Sequence, residues 1–356
     1  MPNGDLFIMK EYIRRIVDNN PDHRFSIACR TLYALFSDMN IEVLKRPHNI
    51  NFNIKSDNIN ISKKYYRKGD TLYINVGGAI ITAEGRHDYA GLGDSNKWFS
   101  EMIQEVNSKE NIEPKLIFRP LDKKEHLPSI FNNRNFNSLH QEVKEALKKP
   151  CIFFYNIEAT WTHANVQIKI AVDDNKLIEQ LAIRYPSYMI IAAKETTVKL
   201  PNVLALSDVN IIMSEDGENL ILYAYIAAFC SIIIAKQTGG SEIGVSNKFI
   251  AESDTNQFII FIYSPSPSNT EEKKEFTMKD RLYTYVSSDK KHIIPTRKYD
   301  TESIMAEVEK IGPIGPVTLP TGTTVGGRGT RKYKRKRIQH RSLQRKRKAT
   351  KNKSRF

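Results

Sequence analysis

The 356-residue chain is poor in the residues that build disulfide frameworks and metal sites, with three cysteines and eight histidines. Cys29, Cys151 and Cys230 stand far apart with no CxxC spacing. That excludes a secreted disulfide scaffold and a cysteine zinc site, and fits reduced core residues. The histidines form no HxxH or HExxH pair, so no metal is expected. Long apolar runs are missing too. The longest, Leu220 to Ala235, is 16 residues and contains Ser231, short of the roughly 20 that a membrane span needs. The opening Leu6-Phe7-Ile8-Met9 is too short for a signal-peptide core. An intracellular protein without a transmembrane segment is expected, cytoplasmic, nuclear or virion-associated. Neither GxGxxG nor GxxxxGK[ST] occurs, which removes the dinucleotide fingerprint and the P-loop. No DxD pair occurs either, against a metal-chelated sugar nucleotide.

Most of the chain is also short of net charge. Of 54 Lys and Arg, 15 fall between Arg328 and Phe356, where there is no Asp or Glu. Met1 to Gly327 holds 39 basic against 40 acidic residues, a net of −1, although the whole chain carries +14. The excess charge is a tail on a neutral body. Apolar content of 40% with 26% charged residues describes a globular body, and its length suits two domains of about 100 to 200 residues.

Apolar spacing in "LFIMKEYIRRIV" and "SIACRTLYALFSDM" predicts a helical start over residues 1 to 66. A strand follows, Thr71 to Val76, ending in Gly77-Gly78. Next come a polar loop with Arg86, His87, Asp88 and Asp94, a helix with Trp98, Phe99, Met102, Ile103 and Val106 on one face, and a short strand "KLIF" at 115–118. In the second half "CIFFYNI", "YMIIAA", "VLAL", "NIIM", "SIIIA" and "FIIFIY" read as strands. Leu177, Ile178, Leu181 and Ala182 mark one helix between them, and Asn219 to Phe229 form another that is apolar all round. Continuously apolar strands are those of a parallel sheet covered on both faces. The expected fold is α/β, with two Rossmann-like domains at 1–148 and 149–311. "TESIMAEVEKI" is the last helix, 312–327 a Gly/Pro/Thr linker, and 328–356 a disordered Lys/Arg-rich tail.

The strand "SIIIA" runs into Lys236-Gln237-Thr238-Gly239-Gly240-Ser241. Two readings stand. Strand-to-helix turns use Gly and Ser for steric reasons alone. Alternatively, the bare backbone admits a phosphate, with N–H groups and the hydroxyls of Thr238 and Ser241 as donors and Lys236 as the charge. Lys194, after "YMIIAA", joins that rim if its strand is a neighbour. The adjacent Asp173-Asp174 suits the opening of a helix.

"LILYAYIAAFCSIIIAKQTGGSEIG" resembles the C-terminal nucleotide-binding segment of GT-B glycosyltransferases of the heptosyltransferase type, where a buried helix feeds a strand ending in a Thr/Ser-Gly-Pro turn. The strand ending in Asn156 and the glycine loop of "YINVGG" are similar features, and the order of elements agrees over about residues 70 to 263. The motif departs at Gln237, Gly240 and Glu242, where the family has Asp, Pro and His. The resemblance implies a nucleotide-sugar donor, no cofactor and no metal, with phosphate held by Gly77, Gly78, Lys194, Lys236, Thr238, Gly239, Gly240 and Ser241. An inverting transfer then needs a general base from the first half, for which His87 and Asp88 are the candidates, with Asp94 behind them. Glu158, Trp161 and His163 form a polar-aromatic loop suited to packing or to acceptor recognition.

The tail points to nucleic acid or another polyanion, without sequence preference, through Arg331, Lys332, Lys334, Arg335, Lys336, Arg337, Arg345, Lys346, Arg347 and Lys348. It resembles the basic tails of many giant DNA virus proteins. A non-enzymatic scaffold or virion protein that binds nucleic acid by this tail is the alternative to a transferase.

Overall fold

Strands that are apolar at every position need cover on both faces, and the order of strands in the second half of the chain supplies it. The computed structural model describes residues 3–29, 33–45, 64–75, 92–122, 125, 136–157, 173–212, 217–236, 258–263, 291–295, 300–313 and 315.

The first half contains α1 (Asn3–Asn19), β1 (Arg24–Cys29), β2 (Glu42–Lys45), β3 (Tyr65–Lys68), β4 (Thr71–Ile74) and α2 (Leu92–Lys109). Their sheet runs β2-β1-β4-β3, with β1 parallel to β2 and β4 and β3 antiparallel to β4. Gly69, at φ 59, turns β3 into β4, a backbone conformation that glycine adopts without cost. The helical expectation for residues 1–66 holds for α1 and fails at the described residues beyond it. Phe25, Ser26 and Ile27 are all buried, and a strand covered on both faces shows no alternation to separate it from a helix. A short 3-10 turn, Tyr33–Phe36, follows where the helix would have continued. Helix α2 begins at Leu92, so Asp94 belongs to its first turn and not to the preceding loop.

"KLIF" is extended but is not a strand. Its backbone is paired by side-chain amides. Asn107 accepts from Leu116 N and donates to Leu116 O, both at 2.8 Å. Asn20 accepts from Ile117 N at 2.7 Å and donates to Ile117 O at 2.8 Å. Asn96 does the same for Leu121, at 2.8 Å each way. Three asparagines thus stand in for a neighbouring strand and satisfy groups that burial would otherwise leave unpaired.

The second half adds α3 (Gln141–Ala146), β5 (Cys151–Tyr155), α4 (Asp174–Arg184), β6 (Met189–Ala192), β7 (Val203–Ala205) and α5 (Glu218–Ala227). It ends with β8 (Ile232–Lys236), β9 (Phe258–Tyr263), β10 (Lys291–Pro295) and α6 (Thr301–Ile311). All neighbours in its six-stranded sheet are parallel, in the order β10-β9-β8-β5-β6-β7. Side chains alternate between two cores. Cys151, Phe153 and Tyr155 join a cluster that includes Phe7, Ile27 and Phe99 from the first half. Ile152 and Phe154 face the other way, toward Leu177 and Leu181 of α4 and Ile304 and Val308 of α6. Helix α5 lies in the shared cluster and also touches the 3-10 turn of the first half, which explains its apolar residues on every side. Thus the chain is α/β, with two Rossmann-like sheets.

Two details differ from expectation in this half. The described part of "NIIM", residues 210–212, is not a strand. Asn210 adopts φ 59, Ile211 N donates back to Leu206 O at 2.9 Å, and Tyr223 Oη donates to Ile211 O at 3.0 Å. Strand β10, in "KHIIP", has too few apolar residues to announce itself. Among the described residues no helix is long and apolar enough to cross a membrane.

Candidate functional site at the carboxyl edge of the second sheet

Chain order reverses at β5. From it the chain moves to β6 and β7 on one side, then returns to place β8, β9 and β10 on the other. In open parallel sheets the crevice for a ligand lies outside the carboxyl ends of the two strands at such a reversal. Here those ends are Tyr155-Asn156 of β5 and Ala235-Lys236 of β8. Strand β6 flanks β5 on its other side, so Lys194 and Lys236 share one edge, with the width of two strand spacings, about 10 Å, between their strands.

Asn156 is buried, and its amide organises the β6 side of this edge. It accepts from Lys194 N at 2.7 Å and donates toward Lys194 O and Glu195 O at 3.3 and 3.4 Å. Asn175, in the first turn of α4, accepts from Thr196 Oγ1 at 2.7 Å and from Thr197 N at 3.1 Å. Residues 194–197 are thereby fixed from two directions. Lys194 itself is half-buried, and its ammonium makes no ion pair with the described residues.

Lys236 is placed differently. It is 5% exposed, and its Nζ lies 2.6 Å from Asp174 Oδ1 and 2.7 Å from Oδ2. The same ammonium sits 5.7 Å from the centre of the Phe154 ring, within cation–π range. Asp173 caps α4, accepting from Asn175 N at 3.0 Å and Lys176 N at 3.2 Å. The two acidic residues open a helix as the sequence indicates, and the second of them also neutralises Lys236. Of the two lysines assigned to this rim from sequence, both reach it, and Lys194 alone leaves its charge unmatched there by a described carboxylate.

Beneath the edge the tyrosines are strongly perturbed. Burial pushes the Tyr155 phenol well above its ordinary value, with Cys230 and Tyr223 beside it adding to the shift. Burial raises Tyr223 to about 12. Both side chains belong to the shared core.

Gly77, Gly78, His87 and Asp88 lie outside the described residues, as do Glu158, Trp161, His163, Thr238, Gly239, Gly240, Ser241 and the whole tail, including Arg331, Lys332, Lys334, Arg335, Lys336, Arg337, Arg345, Lys346, Arg347 and Lys348. Among the described residues no group of three His, Cys, Asp or Glu side chains is disposed to hold a metal ion. The roles of Asn156, Asn175 and Asp174 escape sequence reasoning. The one available signal is an asparagine ending a fully apolar strand, where a polar group needs a specific partner.

No protein-family model matches the chain, and no curated protein matches it. Among solved structures it is similar to the heptosyltransferase WaaC of E. coli with ADP, at 11% identity and a TM-score of 0.40 over 87% of this chain and 95% of that one. Likeness at that level says nothing of ligand or reaction. The order of strands within the chain itself carries the fold.

Proposed function

We propose that the chain is a glycosyltransferase of the GT-B type that holds the diphosphate of a nucleotide-sugar at the carboxyl edge of its second sheet. One observation carries this reading. The strand that leads into Gln237-Thr238-Gly239-Gly240-Ser241 is β8, one of the two strands at the reversal of chain order. Backbone N–H groups at 238–241 and the Lys194 ammonium would meet the charge that develops on the leaving diphosphate. His87 or Asp88 would take the proton of the acceptor hydroxyl as its oxygen attacks the anomeric carbon and the bond to the diphosphate breaks. No metal or cofactor has a role in this scheme, and the tail would tether the protein to a polyanion.

Thermal melting against a panel of nucleoside diphosphates and sugar nucleotides tests the reading. The chain should be ended at residue 320 so that the tail does not bind phosphate on its own account. A ligand at about 100 times its dissociation constant adds about 2.7 kcal/mol and raises the melting temperature. One nucleotide should do so, and Gly239→Val should abolish the shift. A panel with no shift removes the proposal.

The alternative is a non-enzymatic scaffold whose tail binds nucleic acid, and 15 basic residues without an acidic one favour it. It requires salt-sensitive nucleic-acid binding that disappears on deletion of 328–356, with a body indifferent to nucleotides.

A further inference from the structure

We propose that Asn156 is a positioning residue for anion binding, whose buried amide sets the backbone from which the Lys194 ammonium reaches a phosphate. The inference rests on the proposed function for one point, that Lys194 contacts phosphate. Strand β5 is buried and apolar at every position from Cys151 to Tyr155, and Asn156, also buried, follows it directly. A polar side chain in that place needs specific partners. On one side β5 pairs with β6 as far as Phe154 and Ala192, and Ala193 N donates to Phe154 O at 3.0 Å. On the other side its pairing with β8 runs one residue further, to Tyr155 and Ala235. The β6 ladder therefore gives out first, and the Asn156 side chain continues it. An amide carries a carbonyl that accepts and an NH2 that donates, so one side chain can hold a backbone N–H and backbone carbonyls together. Asn156 does this for Lys194 N at 2.7 Å, Lys194 O at 3.3 Å and Glu195 O at 3.4 Å.

The segment is held at its far end as well. Thr196, buried, donates its hydroxyl to Asn175 Oδ1 at 2.7 Å, and Thr197 N donates to the same oxygen at 3.1 Å. Val198 N in turn donates to Thr196 Oγ1 at 3.2 Å. Glu195 and Thr197 are exposed, so water could satisfy the backbone here without help. What two asparagines add that water cannot is a fixed direction. A lysine is a point charge on a flexible stem, with much rotamer freedom to lose on contact. Fixing the backbone beneath it leaves less freedom to remove and less misplacement of the charge, to which binding and transfer are sensitive. The side chain held in this way is half-buried Lys194, whose ammonium pairs with no carboxylate among the described residues.

The test reads Lys194 itself, in the full-length protein, so that phosphate held by the tail does not enter. Lysines are labelled with trace acetic anhydride at fixed pH and ionic strength over a series of inorganic pyrophosphate concentrations. Mass spectrometry then gives the labelling of each lysine. In wild type, pyrophosphate should protect Lys194 with a defined midpoint. In Asn156→Ala that midpoint should rise by about tenfold, the size of a lost charge-assisted contact. Labelling of exposed Lys148 and Lys310 should not change, which a general loosening of the fold would not allow. Asn156→Ser, which keeps a polar group at the end of β5, is the second background if the alanine variant is unfolded in a urea titration. An unchanged midpoint in a folded Asn156 variant overturns the proposal, as does a rise matched by altered labelling at Lys148 and Lys310. Failure of both variants to fold also overturns it and makes Asn156 a residue of the fold. Failure of the phosphate reading looks different, with Lys194 unprotected in wild type, and it removes the proposal at its premise.

Discussion

The two sheets solve the same problem with different chemistry. The second sheet satisfies its backbone with parallel neighbours and covers both faces with aliphatic and aromatic side chains. The first half uses polar side chains inside the fold. Asn20, Asn96 and Asn107 pair the backbone of residues 116–121 as a strand would. Lys10, 3% exposed, and Arg14 converge on Asp38 at 3.3 and 2.6 Å. A hydrophobic design is redundant, since many contacts share the load. An amide clamp depends on one side chain and on orientation, so its failure is local.

The largest effect should come from the apolar half. Phe153→Ala, at a position with no exposure, should cost about 3–5 kcal/mol through lost transfer energy and a cavity, read as a fall in the urea midpoint with unchanged slope. Asn20→Ala should cost about 2 kcal/mol, because the N–H and C=O of Ile117 lose their partner together. Hydrogen exchange should show the loss confined to the residue 115–121 segment. A global loss of protection would mean that the clamp is no more local than the core.

Titration separates the two halves by sign. Burial lowers the Lys10 pKa, with the Arg14 charge adding to the shift and Asp38 and Glu11 opposing it. The folded state then releases this proton before the unfolded state does, so stability rises with pH up to the ordinary lysine value of about 10.4. Tyr155 is raised, so the unfolded state loses its proton first and stability falls as pH climbs above about 10. Tyr155→Phe should flatten that alkaline loss. The Tyr155 hydroxyl is buried with no hydrogen-bond partner among the described residues, so the same change should be neutral or stabilising by up to about 1 kcal/mol at neutral pH. The smallest effect belongs to Arg184→Ala. Its pair with Glu309 spans 3.3 Å between side chains 65% and 50% exposed, and its loss should stay within about 0.5 kcal/mol.

This contrast also decides what could be read in advance. "CIFFY", "MIIA", "IIIAK" and "FIIFIY" announce a parallel sheet because covering both faces leaves apolar residues at every position. The same signal misleads at "RFSIAC", where a short buried strand imitates a helix face, and at "KLIF", whose partners are asparagines up to 97 residues away. No periodicity records a side chain that replaces a strand. At the candidate site the glycine pair and both lysines were visible as residue types. The neutralisation of Lys236 was not, because Asp174 lies 62 residues earlier and meets it only through the crossing of β5 by the returning chain.

Ser231, at the amino end of β8, donates its hydroxyl to Gly315 O at 2.9 Å. The chain that continues into the basic tail is therefore moored at the rim opposite to Lys194 and Lys236, one strand length away, about 16 Å for five residues. The protein has a front and a back. The strand ends that border the crevice point one way, and the chain at Gly315 lies at the other end.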